Sequence, residues 1–216
     1  MISQNFPAKS WIYNLADYRQ IFALTDQDLQ KKVLDFPGGI SSVNAELYAL
    51  GQQLVSADPA YSLPAKEMQN YARQVLRERL AAFGNQPGSA LKAQWQHSTE
   101  QFLADYELGK KQQRYRAMAL PPFAAVPDEP FELLLCADLL FTQELINELC
   151  KLATEVRIFP LPNNQTAVVQ ELGPMMLALQ QRNFGVEIRV VNHPQRNHDN
   201  AMLRVWAKEC GLCGIN

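Results

Sequence analysis

The chain has 216 residues, with 20 Lys and Arg against 22 Asp and Glu and a formal net charge of −2. This near balance lacks the basic excess by which many nucleic-acid-binding proteins are recognised. Hydrophobic residues make up 47% of the sequence, which is enough for one domain with a sizeable core. We expect residues 1–216 to form a single domain, with a helical lead-in over residues 1–30 and a helical insertion over residues 62–109.

Targeting and membrane signals are weak. The N-terminal letters MISQNFPAKSW lack the apolar core of a secretory signal, and the apolar run near residues 131–141 is too short and interrupted to span a bilayer. Four cysteines in a chain of this length do not suggest a disulfide scaffold. These features favour a soluble, cytoplasmic protein.

The first periodic segment, residues 10–30, predicts a helical lead-in. Tyr13, Tyr18 and Phe22 are among the residues of its apolar face. Thr25, with Asp28 three residues later, has the spacing of a helix N-cap.

The stretch from Lys31 to Asp58 predicts a strand, a glycine turn, a helix and a second strand that ends in an acid. The first strand ends at Asp35, and the turn contains Gly38 and Gly39. About twenty residues separate the turn from Asp58, which is typical of a nucleotide-binding βαβ unit. In such a unit the acid accepts hydrogen bonds from ribose hydroxyls, and the helix begins with unpaired N–H groups.

This turn differs from the dinucleotide-binding pattern G-x-G-x-x-G. Pro37 stands within the turn, and Ser41 replaces a third small contact. Pyrophosphate binding is therefore disfavoured, because it requires more backbone donors. A nucleoside without phosphates, such as S-adenosylmethionine, fits the pattern better.

The rest of the chain alternates between helical and strand patterns. Because the last two strands are joined without a helix, they should pair antiparallel, whereas the others form a parallel sheet. The predicted fold class is therefore α/β, with seven strands, helices on both faces and a C-terminal antiparallel hairpin. The remaining helices are predicted over residues 62–84, 90–109, 142–151 and 172–181, and the strands over residues 114–120, 131–137, 155–161, 186–191 and 201–208.

Several later segments carry a resemblance to a known superfamily. With the glycine turn and Asp58, they make the chain resemble the class I S-adenosylmethionine-dependent methyltransferases, and more narrowly a poorly described bacterial group within them. The order of segments matches over nearly the whole chain. The segments are Phe102-Leu103-Ala104-Asp105-Tyr106, Arg114-Tyr115, Leu120-Pro121, Leu135-Cys136 to Leu140-Phe141, Glu155 to Leu161, and Met202-Leu203-Arg204.

The resemblance implies S-adenosylmethionine as cofactor and a set of residues that contact it. Many members place an acid after strand three to bind adenine, whereas this chain has Met118-Ala119-Leu120-Pro121 there. The implied cofactor-binding residues are Asp35, Phe36, Pro37, Gly38, Gly39, Ser41, Asp58, Pro59, Ala60, Leu120, Cys136, Ala137, Asp138 and Leu139.

Asp138 is the catalytic candidate, because it is the only charged residue in the segment CADLLF at the predicted mouth of the pocket. It would act as a general base or orient an acceptor amine or hydroxyl. The alternatives are that it caps the following helix or touches only the cofactor.

Three further residues are candidates for binding the substrate: Tyr18, Tyr61 and Arg157. Tyr61 would equally serve as a packing residue. Arg157 lies in an apolar strand, so a buried ion pair with Glu155 or Asp105 is its more typical role, and holding a substrate carboxylate is the alternative. The stripe of Trp95, Phe102 and Tyr106 is more typical of core than of a substrate cage.

A metal is not expected. Cys210 and Cys213 form C-x-x-C, with His193 and His198 upstream, but a predicted strand separates the two pairs.

The sequence thus favours an enzyme that transfers a methyl group from S-adenosylmethionine to a small-molecule acceptor, without nucleic-acid or membrane partners. One alternative is a catalytically degenerate methyltransferase fold that serves as a binding module. A weaker one is a nicotinamide-dependent oxidoreductase, which rests on the βαβ unit alone.

Overall fold

The computed structural model describes residues 12–83, 89–124, 127–139, 142–161, 167–191 and 201–208. Within these ranges the strands are β1 (Val33–Asp35), β2 (Leu54–Asp58), β3 (Tyr115–Ala117), β4 (Leu133–Ala137), β5 (Glu155–Phe159), β6 (Phe184–Val190) and β7 (Ala201–Ala207). The helices are α1 (Leu15–Ile21), α2 (Val43–Ala49), α3 (Ala65–Phe83), α4 (Ser89–Lys111), α5 (Gln143–Leu149) and α6 (Ala167–Gln181). Short 3-10 turns cover Asp28–Gln30 and Pro59–Ser62.

The seven strands form one sheet in the order β3-β2-β1-β4-β5-β7-β6. Strands β1 to β5 pair in parallel, whereas β7 runs antiparallel to both β5 and β6. The hairpin register runs from Phe184 opposite Ala207 to Val190 opposite Ala201. The predicted α/β class, the mostly parallel sheet and the antiparallel C-terminal hairpin are therefore confirmed. This is the arrangement expected of a Rossmann-like methyltransferase fold.

The central position of strand β4 explains why its sequence, LLLCA, is apolar at every position. Leu133 and Leu135 pack on the sheet face that carries α1, whereas Leu134 and Cys136 pack on the face that carries α5 and α6. A central parallel strand is covered on both faces, so it does not alternate apolar with polar residues.

The N-terminal lead-in folds over the first of these faces. Helix α1 begins with a capping box between Asn14 and Asp17, in which each side chain accepts a hydrogen bond from the other's backbone N–H. Tyr18 is 1% exposed, and the ring of Phe22 meets the ring of Phe159 edge-to-face on β5. The lead-in is therefore part of the core and lies beside the carboxyl ends of β1 and β4.

The insertion between β2 and β3 is a pair of packed helices, α3 and α4. Phe102 and Tyr106 of α4 pack with Tyr61 and Tyr115 in one aromatic cluster. Trp95, Phe102 and Tyr106 are each at most 1% exposed. The stripe on α4 is therefore core, as expected from its spacing.

Some predicted details were wrong. Strand β3 covers Tyr115–Ala117 rather than 114–120, because its partner β2 ends at Asp58, which pairs with Ala117. Strand β6 is the outermost strand of the sheet, so Arg189 lies at an exposed edge. The Arg189 side chain is 40% exposed there and pairs with Glu187. Among the described residues, no helix is long and apolar enough to cross a membrane.

Candidate functional site

The carboxyl ends of β1, β2 and β4 lie side by side at one edge of the sheet, because these strands are parallel neighbours. Each of the three strands ends at or just before an acid: Asp35 on β1, Asp58 on β2 and Asp138 after β4. Ligands of open α/β sheets bind at this edge, where the connections leave the strands in opposite directions. The three acids and the segments around them form the candidate site.

Asp58 links the end of β2 to the glycine turn. One of its carboxylate oxygens (Oδ2) accepts a hydrogen bond from the backbone N–H of Gly39 at 3.0 Å, and the other (Oδ1) accepts one from Ala60 at 2.8 Å. Burial raises the pKa of Asp58, although these two bonds oppose the effect. Each oxygen retains a second lone-pair direction, so the carboxylate has the capacity to accept two ribose hydroxyls as well.

Asp35 is 1% exposed and is held by two hydroxyl donors. The Tyr18 phenol donates to Oδ1 at 2.8 Å, and the Ser56 hydroxyl donates to Oδ2 at 3.1 Å. Loss of hydration raises the pKa of Asp35 from 3.8 to about 7, although these bonds lower it. Asp35 is thus neutral in part of the population near pH 7, and a cation bound nearby would favour its ionised form.

The glycine turn is fixed by packing against Tyr61. The Tyr61 hydroxyl donates to the Gly39 carbonyl at 2.7 Å. A Cβ at Gly38 would lie 2.6 Å from that hydroxyl and 2.9 Å from the Cβ of Ser56, and Gly39 has a φ of 56°. Two glycines are therefore needed for the fold of the turn itself. Tyr61 is 1% exposed, which favours the packing alternative over contact with a substrate.

The start of α2 differs from the expectation of open N–H groups. The backbone N–H of Ser42 donates to the carbonyl of Tyr13 at 3.1 Å, and that of Val43 donates to the Ser41 hydroxyl at 3.2 Å. The Ser41 hydroxyl in turn donates to the Tyr13 carbonyl at 3.1 Å. The lead-in thus supplies the partner of the Ser42 N–H, and the Ser41 hydroxyl supplies that of the first helical N–H. Ser41 is buried, and its hydroxyl is engaged within the protein.

Asp138 occupies a left-handed backbone conformation with a φ of 61°, where its N–H donates to the Phe159 carbonyl at 2.9 Å. The Tyr13 phenol donates to Asp138 Oδ2 at 3.0 Å. The helix-cap alternative is wrong, because Thr142 caps α5 through Leu145. Asp138 is half-buried, and Tyr13 holds its carboxylate at the carboxyl end of β4.

Tyr13 is the residue that the sequence reasoning missed as part of the site. It lies 125 positions from Asp138 in sequence, and no local pattern predicts a hydrogen bond over that distance. Its ring also meets the ring of Tyr18 edge-to-face at 5.7 Å. Two tyrosines of one short segment thus bind two carboxylates at the ends of adjacent strands.

The remaining predicted cofactor residues have unequal access to a ligand. Phe36 is fully buried against Phe123, and Cys136 is fully buried in the core, where burial raises the pKa of its thiol. Side chains at these two positions therefore do not face an open pocket. Half-buried or exposed positions are Pro37, Gly39, Pro59, Leu120 and Leu139, whereas Ala60 and Ala137 are buried.

Arg157 has its bonds within the protein. Its guanidinium pairs with Asp28 at 2.9 Å and with Glu155 at 2.7 Å, and it donates to the Phe22 carbonyl at 2.9 Å. Burial alone would raise the pKa of Asp28, but Lys31, the backbone of Thr25 and Arg157 together lower it. These contacts favour the ion-pair role for Arg157. Its predicted partner Glu155 is confirmed, whereas Asp105 pairs with another arginine.

The described residues contain no group of three or more His, Cys, Asp or Glu side chains placed to hold a metal ion. Cys210, Cys213, His193 and His198, which carried the zinc alternative, lie outside the described residues.

Comparisons with known proteins give distant similarities. No protein-family profile matches the chain. An uncharacterised protein from Methanocaldococcus jannaschii is 26% identical over 171 residues, which cover 69% of this chain and 76% of that protein.

Solved structures of similar fold include three proteins that are described as methyltransferases or methylases. One is a candidate RNA methyltransferase from Pyrococcus horikoshii, with 8% identity, 89% and 84% coverage of this chain and that chain, and a TM-score of 0.44. Another is an rRNA methylase from Streptococcus thermophilus, with 12% identity, 90% and 96% coverage, and a TM-score of 0.41. A third is an S-adenosylmethionine-dependent methyltransferase from Thiobacillus denitrificans in complex with S-adenosylhomocysteine, with 9% identity, 89% and 88% coverage, and a TM-score of 0.40.

These findings correct one expectation. A small-molecule acceptor and the absence of nucleic-acid partners were predicted from the charge balance, but four of the similar solved structures are RNA or rRNA methylases by name. Total charge was a poor guide, because it says nothing of how charges are distributed over the surface. At the level of fold, the strand order and the antiparallel β7 show that the chain has the Rossmann-like fold of class I methyltransferases.

Proposed function

We propose that the protein is an S-adenosylmethionine-dependent methyltransferase whose cofactor binds at the carboxyl ends of β1, β2 and β4. The observation that carries the proposal is the pairing of Asp58 with the Gly39 N–H at this edge of a sheet with methyltransferase strand order. Fold alone does not determine function, so the proposal depends on what these side chains are able to bind.

The residues present fit the groups of such a cofactor. Asp58 would accept the two ribose hydroxyls through its remaining lone pairs, with the backbone of Gly39 beside the sugar. Asp35 would contribute negative charge near the cationic part of the ligand. Its raised pKa means that this charge develops fully only when a cation is bound.

The cofactor, when bound, supplies an electrophilic methyl group on a positively charged sulfur. The protein would contribute alignment of the acceptor with that group, which is the main requirement of a direct displacement. Asp138 would receive the proton of the acceptor or orient its nucleophilic atom, and Tyr13 would hold the carboxylate in place at 3.0 Å. For the acceptor we propose RNA, which is the acceptor that four of the similar solved structures carry in their names.

The proposal is tested by calorimetric titration of the protein with S-adenosylmethionine and S-adenosylhomocysteine, repeated on Asp58→Asn. Loss of a hydrogen bond to a charged group costs about 1.5–3 kcal/mol, so affinity for both ligands should fall by roughly 10–150-fold. Asp26→Asn is the matched control, because Asp26 lies at the surface with 84% of its side chain exposed.

A denaturation curve of each variant shows whether a change in affinity arises from unfolding. Transfer of a tritiated methyl group to RNA is measured next. Failure of the wild-type protein to bind either ligand at millimolar concentration would contradict the proposal and favour the alternative of a fold kept for binding a partner.

A further inference from the structure

Helix α3 carries an unpaired basic surface. Lys66, Arg73 and Arg77 are exposed, and within the described part of the chain none of them forms an ion pair or a side-chain hydrogen bond. Other exposed cations of the described residues differ in this respect, since Lys111 pairs with Glu107 and Lys151 pairs with Glu148. A free cation is able to meet an external anion without first leaving an internal partner.

The three cations project from one side of the helix. At 3.6 residues per turn, Arg73 and Arg77 lie within about 20° of the direction of Lys66, and Asn70 lies within about 40°. We call these four residues the α3 basic face. Along the helix axis the three cations are about 10 Å and 6 Å apart.

The acids of α3 lie outside this face. Glu67 and Glu78 project about 100° and 120° from the direction of Lys66. Glu78 accepts a hydrogen bond from the Gln74 amide at 2.9 Å, so its carboxylate has a partner outside the α3 basic face. Because opposite charges are separated around the helix, the near-zero net charge of the chain conceals a local positive surface.

The position of the α3 basic face connects it to the candidate site. The chain leaves Asp58, passes through the 3-10 turn Pro59–Ser62 and enters α3, whose first turn carries Lys66. Two side chains of α4 fix the intervening Leu63, because the Tyr106 hydroxyl and the Lys110 ammonium donate to its carbonyl at 2.9 and 3.0 Å. The Lys66 end of the face is therefore the end closer along the chain to Asp58.

We propose that the α3 basic face binds the phosphate backbone of an RNA strand and directs that strand toward the carboxyl ends of β1, β2 and β4. This inference rests on the proposed function only for the choice of RNA as the partner. Arginine and lysine side chains supply the phosphate contacts, and neighbouring amides such as Asn70 supply hydrogen bonds to sugar or base. A membrane surface does not fit, since α3 exposes no large apolar side chain that would insert into lipid.

The test compares two triple variants of equal net charge. One replaces the α3 cations (Lys66→Gln, Arg73→Gln and Arg77→Gln). The control replaces three cations that already have acidic partners (Arg19→Gln, Lys111→Gln and Lys151→Gln). Binding of a labelled single-stranded RNA of about 20 nucleotides is measured by fluorescence anisotropy from 50 to 200 mM salt, and circular dichroism checks that both variants fold.

Three phosphate contacts on a single strand contribute a slope of about −2 to the plot of log K against log salt concentration. The α3 variant should lose that contribution and bind about tenfold more weakly, or worse, at 50 mM salt. The control should keep a slope close to that of the wild type.

Equal losses in both variants would overturn the inference, because only net charge would then matter. Competition by polyglutamate as strong as that by unlabelled RNA would also overturn it in favour of an acidic protein partner. Titration of the α3 variant with S-adenosylhomocysteine separates this inference from the proposed function, since cofactor affinity should not change. Loss of RNA binding without any cofactor binding in the wild type would leave the surface assigned and refute the methyltransferase proposal.

Discussion

The buried carboxyl group of Asp35 should make the stability of the protein fall as pH rises from acid to neutral. Well below pH 3.8 the group is protonated in both the folded and the unfolded chain. Between about pH 4 and 7 the unfolded chain loses this proton while the folded chain retains it, because burial raises the folded pKa from 3.8 to about 7. The free energy of unfolding therefore decreases over this range, and the contribution is constant above it.

The magnitude follows from the size of the pKa shift. A shift of about three units corresponds to about 4 kcal/mol at 1.36 kcal/mol per unit. The substitution Asp35→Asn removes the titration while it keeps an acceptor for the Tyr18 hydroxyl. Any packing or hydrogen-bonding loss in the variant is the same at every pH. The difference in unfolding free energy, variant minus wild type, should therefore rise by about 4 kcal/mol between pH 4 and pH 8.

The assay is urea denaturation of both proteins at pH 4, 6 and 8. Asp17, whose pKa burial raises to about 6, is not among the groups that shift Asp35, so it titrates alike in both proteins and cancels in the difference. Asp26→Asn, which replaces an acid with 84% of its side chain exposed, is the matched control for loss of one carboxylate. A difference for Asp35→Asn that is the same at pH 4 and pH 8 would refute the reasoning.

Two stability predictions follow from contacts at other positions. Gly38→Ala should destabilise the fold by about 1–3 kcal/mol in urea denaturation, because the new methyl group lies 2.6 Å from the Tyr61 hydroxyl. Adding Tyr61→Phe should restore part of that loss, and full stability of Gly38→Ala alone would show that the turn is able to open. Asp28→Ala should cost about 3–5 kcal/mol by thermal or urea unfolding, since it leaves the buried cation of Arg157 with one fewer partner. The exposed control Asp26→Ala should cost less than about 1 kcal/mol, and equal losses would mean that the Arg157 pair is not buried in solution.

Local patterns were sufficient to predict the fold and the backbone of the site. Two strands were predicted to end at Asp35 and Asp58, and both end there in the structure. Apolar runs and a glycine turn determine these ends within a few residues. The antiparallel hairpin of β6 and β7 followed from the lack of a helical pattern between the two strands. These features depend on neighbours in sequence, so a single chain reveals them.

The side-chain partners within the site were not predictable in the same way. The hydrogen bond from Tyr13 to Asp138 joins positions 125 apart, and the ion pair between Asp28 and Arg157 joins positions 129 apart. Many residues that far away in sequence are able to form the same hydrogen bond or ion pair. The actual partner is determined only when the lead-in packs against the sheet. The reason for Gly38 was also hidden, since it depends on a tyrosine from the next 3-10 turn rather than on a ligand.

The central claim is tested most directly by a crystal structure of the protein grown with S-adenosylhomocysteine. We predict density for the nucleoside beside Gly39, with both ribose hydroxyls within hydrogen-bond distance of the Asp58 carboxylate. Two results would contradict the assignment of this edge of the sheet as a cofactor site. One is ligand density at another place on the molecule, and the other is the absence of ligand density beside Asp58 in crystals grown with millimolar S-adenosylhomocysteine.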